Sequence, residues 1–128
     1  MKRIQVLIIL LIIFALQDSQ AQLKKVERAY ESFQAGEYYK AIDHFKVAYS
    51  KTSKKDKENR AELVFMIGEC YRLINDPKNA ETWYKQAIRS SNSKPEAQFW
   101  LAESHKKSGK YQNAIDEFKK YKQIAQKD

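Results

Sequence analysis

The chain has 128 residues, of which 43% are hydrophobic and 12% aromatic, with only 3 glycines and 2 prolines. That is one domain's worth of sequence with enough apolar material for a packed core, which excludes a disordered tail, and with too few turn-forming residues for many tight hairpins. The formal charge of +8 does not make a nucleic-acid partner the expectation, because lysines alternate with acids along the chain, as in Asp116-Glu117-Phe118-Lys119-Lys120, and such mixing describes a solvated face.

The first residues differ from the rest. Met1-Lys2-Arg3 is a short basic head, Val6 to Leu16 is an unbroken apolar run, and Ser19-Gln20-Ala21 places small residues where a signal peptidase reads. This pattern predicts a secretory signal peptide over residues 1–21 and a mature domain over residues 22–128. An anchor is the rival reading, but the apolar run is 11 residues where a spanning helix needs about 20. No transmembrane segment is then expected in the mature chain, and no cysteine near the junction could carry a lipid. Loss of Lys2, Arg3 and Asp18 lowers the charge from +8 to +7, and the product is expected in the periplasm or at the outer membrane.

Beyond residue 22 no Val, Ile and Thr alternation suggests strands, so the reading is all-α. Helices are predicted at about 23–35, 38–51, 58–74, 77–91, 94–108 and 111–126. Gly36, Asn75 and Gly109 are the residues able to take the left-handed conformation that closes the first, third and fifth. KTSKKDKENR, Lys51 to Arg60, is polar, without apolar periodicity, and reads as a lengthened loop. Asp76-Pro77 reads as an N-cap with proline at the first helical position, and Ser93-Lys94-Pro95-Glu96 as a capping box. The last helix carries Tyr111, Ala114, Ile115, Phe118, Tyr121, Ile124 and Ala125 on one stripe, with polar residues elsewhere, so it is expected to cap the fold against solvent and leave a monomer.

A repeat runs through these helices. Gly68, Tyr71, Ala80, Tyr84 and Ala87 each lie 34 residues before Ala102, His105, Ala114, Phe118 and Tyr121, while Ala29, Ala41, Phe45 and Ala48 lie 39 before their partners. The five extra residues fall in the lengthened loop. Small residues at Ala29/Gly68/Ala102 and Ala41/Ala80/Ala114 allow paired helices to cross closely.

This period and these positions resemble the tetratricopeptide repeat family, over about residues 23–127. The resemblance implies three helix-turn-helix repeats, about 22–55, 58–93 and 94–127, in a short right-handed superhelical solenoid whose first helices line an inner groove. GEYYKAIDHFKVAYSK and GECYRLINDPKNAETWYKQAI also resemble the N-terminal repeats of Bacteroidota-type cell-envelope proteins that carry an OmpA-like peptidoglycan-binding domain. Residues of that binding domain are not among these 128.

Nothing in the sequence points to catalysis, a metal or a cofactor: there is no Gly-rich phosphate loop, no paired Cys or His at ligand spacing and no nucleophile elbow. Glu103-Ser104-His105 does not converge, because adjacent helical residues point about 100° apart. Ser104 reads as helix surface and His105 as a packed core histidine. Cys70, the lone cysteine, cannot form an internal disulfide and reads as a small buried thiol.

Binding remains. The groove implied by the resemblance is Val26, Tyr30 and Phe33, then Phe65, Glu69 and Arg72, then Phe99, Glu103 and Lys106. Phe65 and Phe99 have core packing as their alternative, and Glu69, Arg72, Glu103 and Lys106 read as surface. Glu69 and Glu103 stand where modules that clamp a C-terminal carboxylate need cations, so that mode is disfavoured. The expected function is a non-enzymatic periplasmic scaffold whose groove takes a peptide or helix of another envelope protein. The alternatives are a structural component whose basic outer face meets the cell wall or anionic lipid, or the N-terminal module of a larger OmpA-like protein.

Overall fold

Six helices follow one another in the computed structural model, which describes residues 1–90 and 93–126: α1 (Lys2–Gln34), α2 (Tyr38–Lys51), α3 (Lys57–Leu73), α4 (Pro77–Ile88), α5 (Pro95–Lys107) and α6 (Tyr111–Ala125). Among the described residues there is no strand. Each helix packs on the next, α1 on α2 through α5 on α6, giving three pairs in a row.

The first helix of each pair ends in the same way. Gly36, Asn75 and Gly109 take φ values of 75°, 58° and 75°. The residue after each donates its amide back five residues, Glu37 to Ser32 at 2.9 Å, Asp76 to Tyr71 at 2.9 Å and Lys110 to His105 at 2.9 Å. This is one Schellman closure used three times. Asp76 caps α4 by accepting from the Asn79 amide at 3.1 Å, with Pro77 at the first position, as the sequence suggests. Asp56 caps α3 with the same device, accepting from the Asn59 amide at 3.2 Å.

The expected capping box does not form. Lys94, with φ −74° and ψ 136°, is the flanking residue of α5 and makes no side-chain cap bond. Proline forces the residue before it into extended backbone. The helix therefore starts at Pro95, and Glu96 stands too near its beginning to reach back. The expected end of the fourth helix at residue 91 lies outside the described residues, as do the repeat margins at 91–92 and 127–128.

The largest departure is α1, which is 33 residues long and unbroken where a helix from about residue 23 was expected. No glycine or proline interrupts it, so no residue in the run breaks the helix. Residues 3–20 are exposed throughout. Contact with the rest of the molecule starts at Gln22, whose side-chain amide donates to the Ala48 carbonyl at 3.0 Å and the Thr52 hydroxyl at 2.7 Å.

The core is densest in α3, where Leu63 to Gly68 are all buried because α2 and α4 cover the helix from both sides. Gly68 marks the closest approach. A Cβ there would stand 2.8 Å from Cε1 of Tyr84, which is itself fully buried. Cys70 lies in the same core, and burial, followed by the charge of Glu69, pushes its thiol up to about 12. It is a packed, protonated thiol.

Candidate functional site

The face shared by α1, α3 and α5 is joined by two chains of polar and aromatic side chains. The first crosses from α1 to the start of α5. Tyr30 donates its hydroxyl to Glu62 at 3.0 Å, Glu62 pairs with Lys94 at 2.6 Å, and the Lys94 ammonium stands 5.0 Å from the centre of the Phe65 ring. Burial and the neighbouring Glu62 raise the Tyr30 phenol well above its usual range. It remains a donor at any physiological pH.

The second chain joins α3 to α4 and α5. Arg72 grips Glu69 with two nitrogens at 3.1 and 2.6 Å, a planar fork meeting a carboxylate. Tyr84 adds a 2.5 Å bond to the same carboxylate from α4. The Arg72 guanidinium then lies 4.0 Å from the centre of the Trp100 ring, a cation over an aromatic face. Its hydrogen bond to Glu69 is the main reason its pKa is raised further.

The sequence-expected groove residues distribute unevenly over this face. Val26, Tyr30 and Phe33 are half-buried, with Tyr30 edge-on to Phe45 at 5.1 Å and Phe33 to Tyr38 at 5.6 Å. Phe65 is only 9% exposed and packs on Tyr84, so it belongs to the core. Phe99 is half-buried among Trp100, Phe118 and Tyr121. Lys106 is exposed and pairs with Glu103 at 2.6 Å. Glu69 and Arg72, read as surface, have side chains only 13% and 25% exposed. The reason is Tyr84, whose buried ring brings its hydroxyl against Glu69 and draws the ion pair inward.

Glu62, Lys94 and Trp100 were not among the expected residues. Glu62 could have been found, since it precedes Phe65 by three and Glu69 by seven on one helix and so shares their face. Trp100 could not, because its counterpart 34 residues earlier is Met66, which is buried in the core.

Two further polar groups are placed differently from the sequence reading, or more fully. Ser104 is buried, its hydroxyl donating to the Trp100 carbonyl at 2.7 Å. His105 is buried as expected, with Nδ1 3.5 Å from Glu81 and no hydrogen-bond partner. Burial holds its pKa below the imidazole range against the pull of Glu81. Glu81 is itself partly desolvated, but bonds from Lys110 at 2.8 Å and Lys85 at 2.5 Å outweigh that and keep its pKa low. In the first repeat Ser32 occupies the equivalent of Tyr71 and shares a 3.0 Å bond with Nδ1 of His44. Among the described residues no carboxylate bonds the other ring nitrogen of His44, and no group of three or more His, Cys, Asp or Glu side chains could hold a metal.

Comparison with known proteins agrees with this arrangement. Two family models, both described as tetratricopeptide repeat, match residues 61–94 and 96–125. Among solved structures, the crystal structure of the TPR domain of Arabidopsis FLU matches with a TM-score of 0.74 at 18% sequence identity, over 87% of this chain and 99% of that one. At that identity the likeness speaks for the fold alone. No curated protein matches the chain.

Proposed function

Because the chain belongs to the tetratricopeptide repeat family, whose repeats are protein-interaction scaffolds, we propose that it is a non-enzymatic, monomeric scaffold. It holds a peptide or helix of another cell-envelope protein along the face of α1, α3 and α5. The observation that carries this reading is the pair of linked chains, Tyr30-Glu62-Lys94 and Glu69-Arg72-Trp100. They fix a rigid aromatic and charged surface before any partner arrives, which lowers the ordering cost of association. Val26, Tyr30, Phe33, Phe99, Glu103 and Lys106 stand at its accessible margin.

Arg72 is a poor place to test this. Reversing it would set two carboxylates beside the buried Tyr84, mixing lost capture with lost stability. Exchanging the charges of the Glu103–Lys106 pair keeps an i,i+3 pair and the net charge. The double variant Glu103→Lys/Lys106→Glu should keep its melting temperature and lose crosslinked capture of envelope proteins. The same exchange at Glu37 and Lys40, an exposed pair at the start of the outer helix α2, should keep both. Capture lost only in the α2 exchange would remove the inner face from consideration.

Export is the second part of the proposal. It is supported by the basic head, the apolar run, Ser19-Gln20-Ala21, and contacts that begin at Gln22. One observation is compatible with an anchor instead: the helical stretch Arg3–Gln34 contains an 18-residue window with a mean hydropathy of 1.9, long and apolar enough to cross a membrane, a property that a signal sequence shares. Intact mass of protein from the envelope fraction separates the two. A chain starting at Gln22 is expected, and a chain retaining Met1 to Ala21 would favour the anchor.

A further inference from the structure

Outside the α1, α3 and α5 face, where α2 ends, α3 begins and α4 ends, lies a cleft of about 380 Å³ lined by Tyr49, Lys54, Lys57, Arg60, Arg89 and neighbouring small and apolar residues. We propose that it binds a phosphate-bearing organic anion. This does not depend on the groove reading, since none of its residues belongs to that face.

Charge is the first ground. Four cations line the cleft and no carboxylate does. Some cations elsewhere pair with acids, as in Lys40–Glu37, Lys85–Glu81, Lys94–Glu62, Lys106–Glu103 and Lys120–Glu117, and others, such as Lys24, Lys78 and Lys119, stand unpaired among the described residues; what sets the cleft apart is that four cations line one concavity with no acid among them. Lys54, Lys57, Arg60 and Arg89 have no such partner among the described residues. Surface lysines kept only for solubility need not converge in this way.

Preorganisation is the second. Arg60 is held in place: one of its terminal nitrogens donates to the Tyr49 and Thr52 carbonyls at 3.1 and 2.9 Å, and its guanidinium stacks 4.0 Å from the centre of the Tyr49 ring. Those bonds neutralise the carbonyls at the end of α2, where a helix presents partial negative charge. The remaining guanidinium nitrogens have no protein partner among the described residues. Tyr49 is fixed in turn by Gln86, which donates to its hydroxyl at 2.9 Å. A planar cation held with donors to spare is the group that best fits phosphate oxygens.

Shape is the third. Ala61, Val64 and the Tyr49 ring give the cleft an apolar wall beside its cations. Its volume falls in the range of small-molecule sites, about 300–1,000 Å³, and exceeds what a bare phosphate would fill. Lys54 lies between α2 and α3 and Lys57 opens α3; the five extra residues that stretch the repeat spacing from 34 to 39 lengthen these helices, 14 and 17 residues against 12 and 13 in α4 and α5, and not the loop that the sequence suggested.

The test is a titration of the full chain with phenyl phosphate, followed by amide chemical shifts. The expected result is movement confined to residues 49–64 and 86–90, with affinity lowered about tenfold in each of Lys57→Gln and Arg89→Gln, the loss of one charge-assisted bond, and unchanged in Lys119→Gln. Phosphate carried by a lipid and phosphate carried by a soluble compound are distinguished with vesicles. The readout is the gain in binding of phosphatidic acid over phosphatidylcholine vesicles, so that insertion of the N-terminal helix cancels. A gain lost in Lys57→Gln identifies a lipid source, and no gain, with phenyl phosphate still bound, identifies a soluble one. Shifts spread evenly over the surface, or equal weakening by Lys119→Gln, would overturn the proposal.

Discussion

The second and third repeats place the same residue types at positions 34 apart and treat them differently. Tyr84 in α4 is fully buried, whereas its counterpart Phe118 in α6 is half-exposed. Ala80 and Ala114 are both buried, because each meets the first helix of its own pair. The difference lies in what comes next: α4 is covered by α5 as well as α3, whereas among the described residues α6 packs chiefly on α5. Burial in a stacked fold is thus set by neighbours, and equal residues contribute unequally to stability.

The largest expected contrast follows from the aromatic pair. Tyr84→Ala removes a buried ring and leaves the Glu69 carboxylate without one of its donors, so a loss of about 3–5 kcal/mol is expected. Phe118→Ala should cost about 1 kcal/mol, near the average for single substitutions. Urea unfolding of the two variants checks the ratio. Equal losses would mean that α6 is covered in solution as fully as α4.

Gly68 and Ala102 sharpen the same comparison. Gly68→Ala gains about 1 kcal/mol of helix propensity but forces a methyl group to 2.8 Å from a ring that cannot swing aside, since Glu69 holds its hydroxyl. Overpacking of this kind costs about 1–3 kcal/mol, so a net loss of up to about 2 kcal/mol is expected from thermal denaturation. Ala102→Gly has no ring to relieve and loses both the propensity, about 1 kcal/mol, and the burial of its methyl group, about 0.8 kcal/mol, since Ala102 is fully buried.

His105 occupies the position in the third repeat that Tyr71 has in the second, and it is a buried imidazole. It faces Glu81 and Lys85 from α4, Lys110 at the start of α6 and Glu117 within it, and burial makes the folded chain hold its ring neutral. The unfolded chain takes up a proton near the ordinary value of 6.5, so the unfolded state binds more protons below that pH. Stability is therefore full above about 6.5 and falls as pH drops through that value toward the lower folded pKa. His105→Phe should flatten this part of the profile. Glu81, whose folded pKa is lowered, loses its contribution in a separate window below the ordinary carboxylate value of 4.5. A slope between pH 5 and 7 that survives in His105→Phe would assign it to another group.

Much of this was legible in the sequence, for local reasons. Gly36, Asn75 and Gly109 declare helix ends because few residues tolerate positive φ, and Ala29, Ala41, Gly68 and Ala80 declare crossings because only small side chains fit. What was not legible depends on distance. Ser104 looks like surface until α4 and α6 pack against α5, Glu69 until Tyr84 reaches it, and Lys54 and Lys57 look like part of a solvated spacer until Arg89 stands beside them. The failed capping box is a local error: Ser93 to Glu96 has the right spacing, but Pro95 fixes the first turn one residue late.

The smallest expected effect sits on the open side of α6. The sequence stripe was expected to close the fold, but Tyr111, Ile115 and Ile124 are 67%, 47% and 38% exposed, and only Ala114 of that stripe is buried. The reason is geometric: α5 is one helix wide and meets Ala114, Phe118 and Tyr121, leaving the rest of the stripe to water. A side chain already in water loses little when it becomes polar, so Ile115→Gln should change stability by no more than about 0.5 kcal/mol. The substituted and original chains should sediment as monomers alike. A loss well above that figure, together with a sedimentation coefficient that falls on substitution, would show that a second copy covers α6 in solution. The end repeat would then be as enclosed as the middle one, and the contrast between Tyr84 and Phe118 would shrink with it.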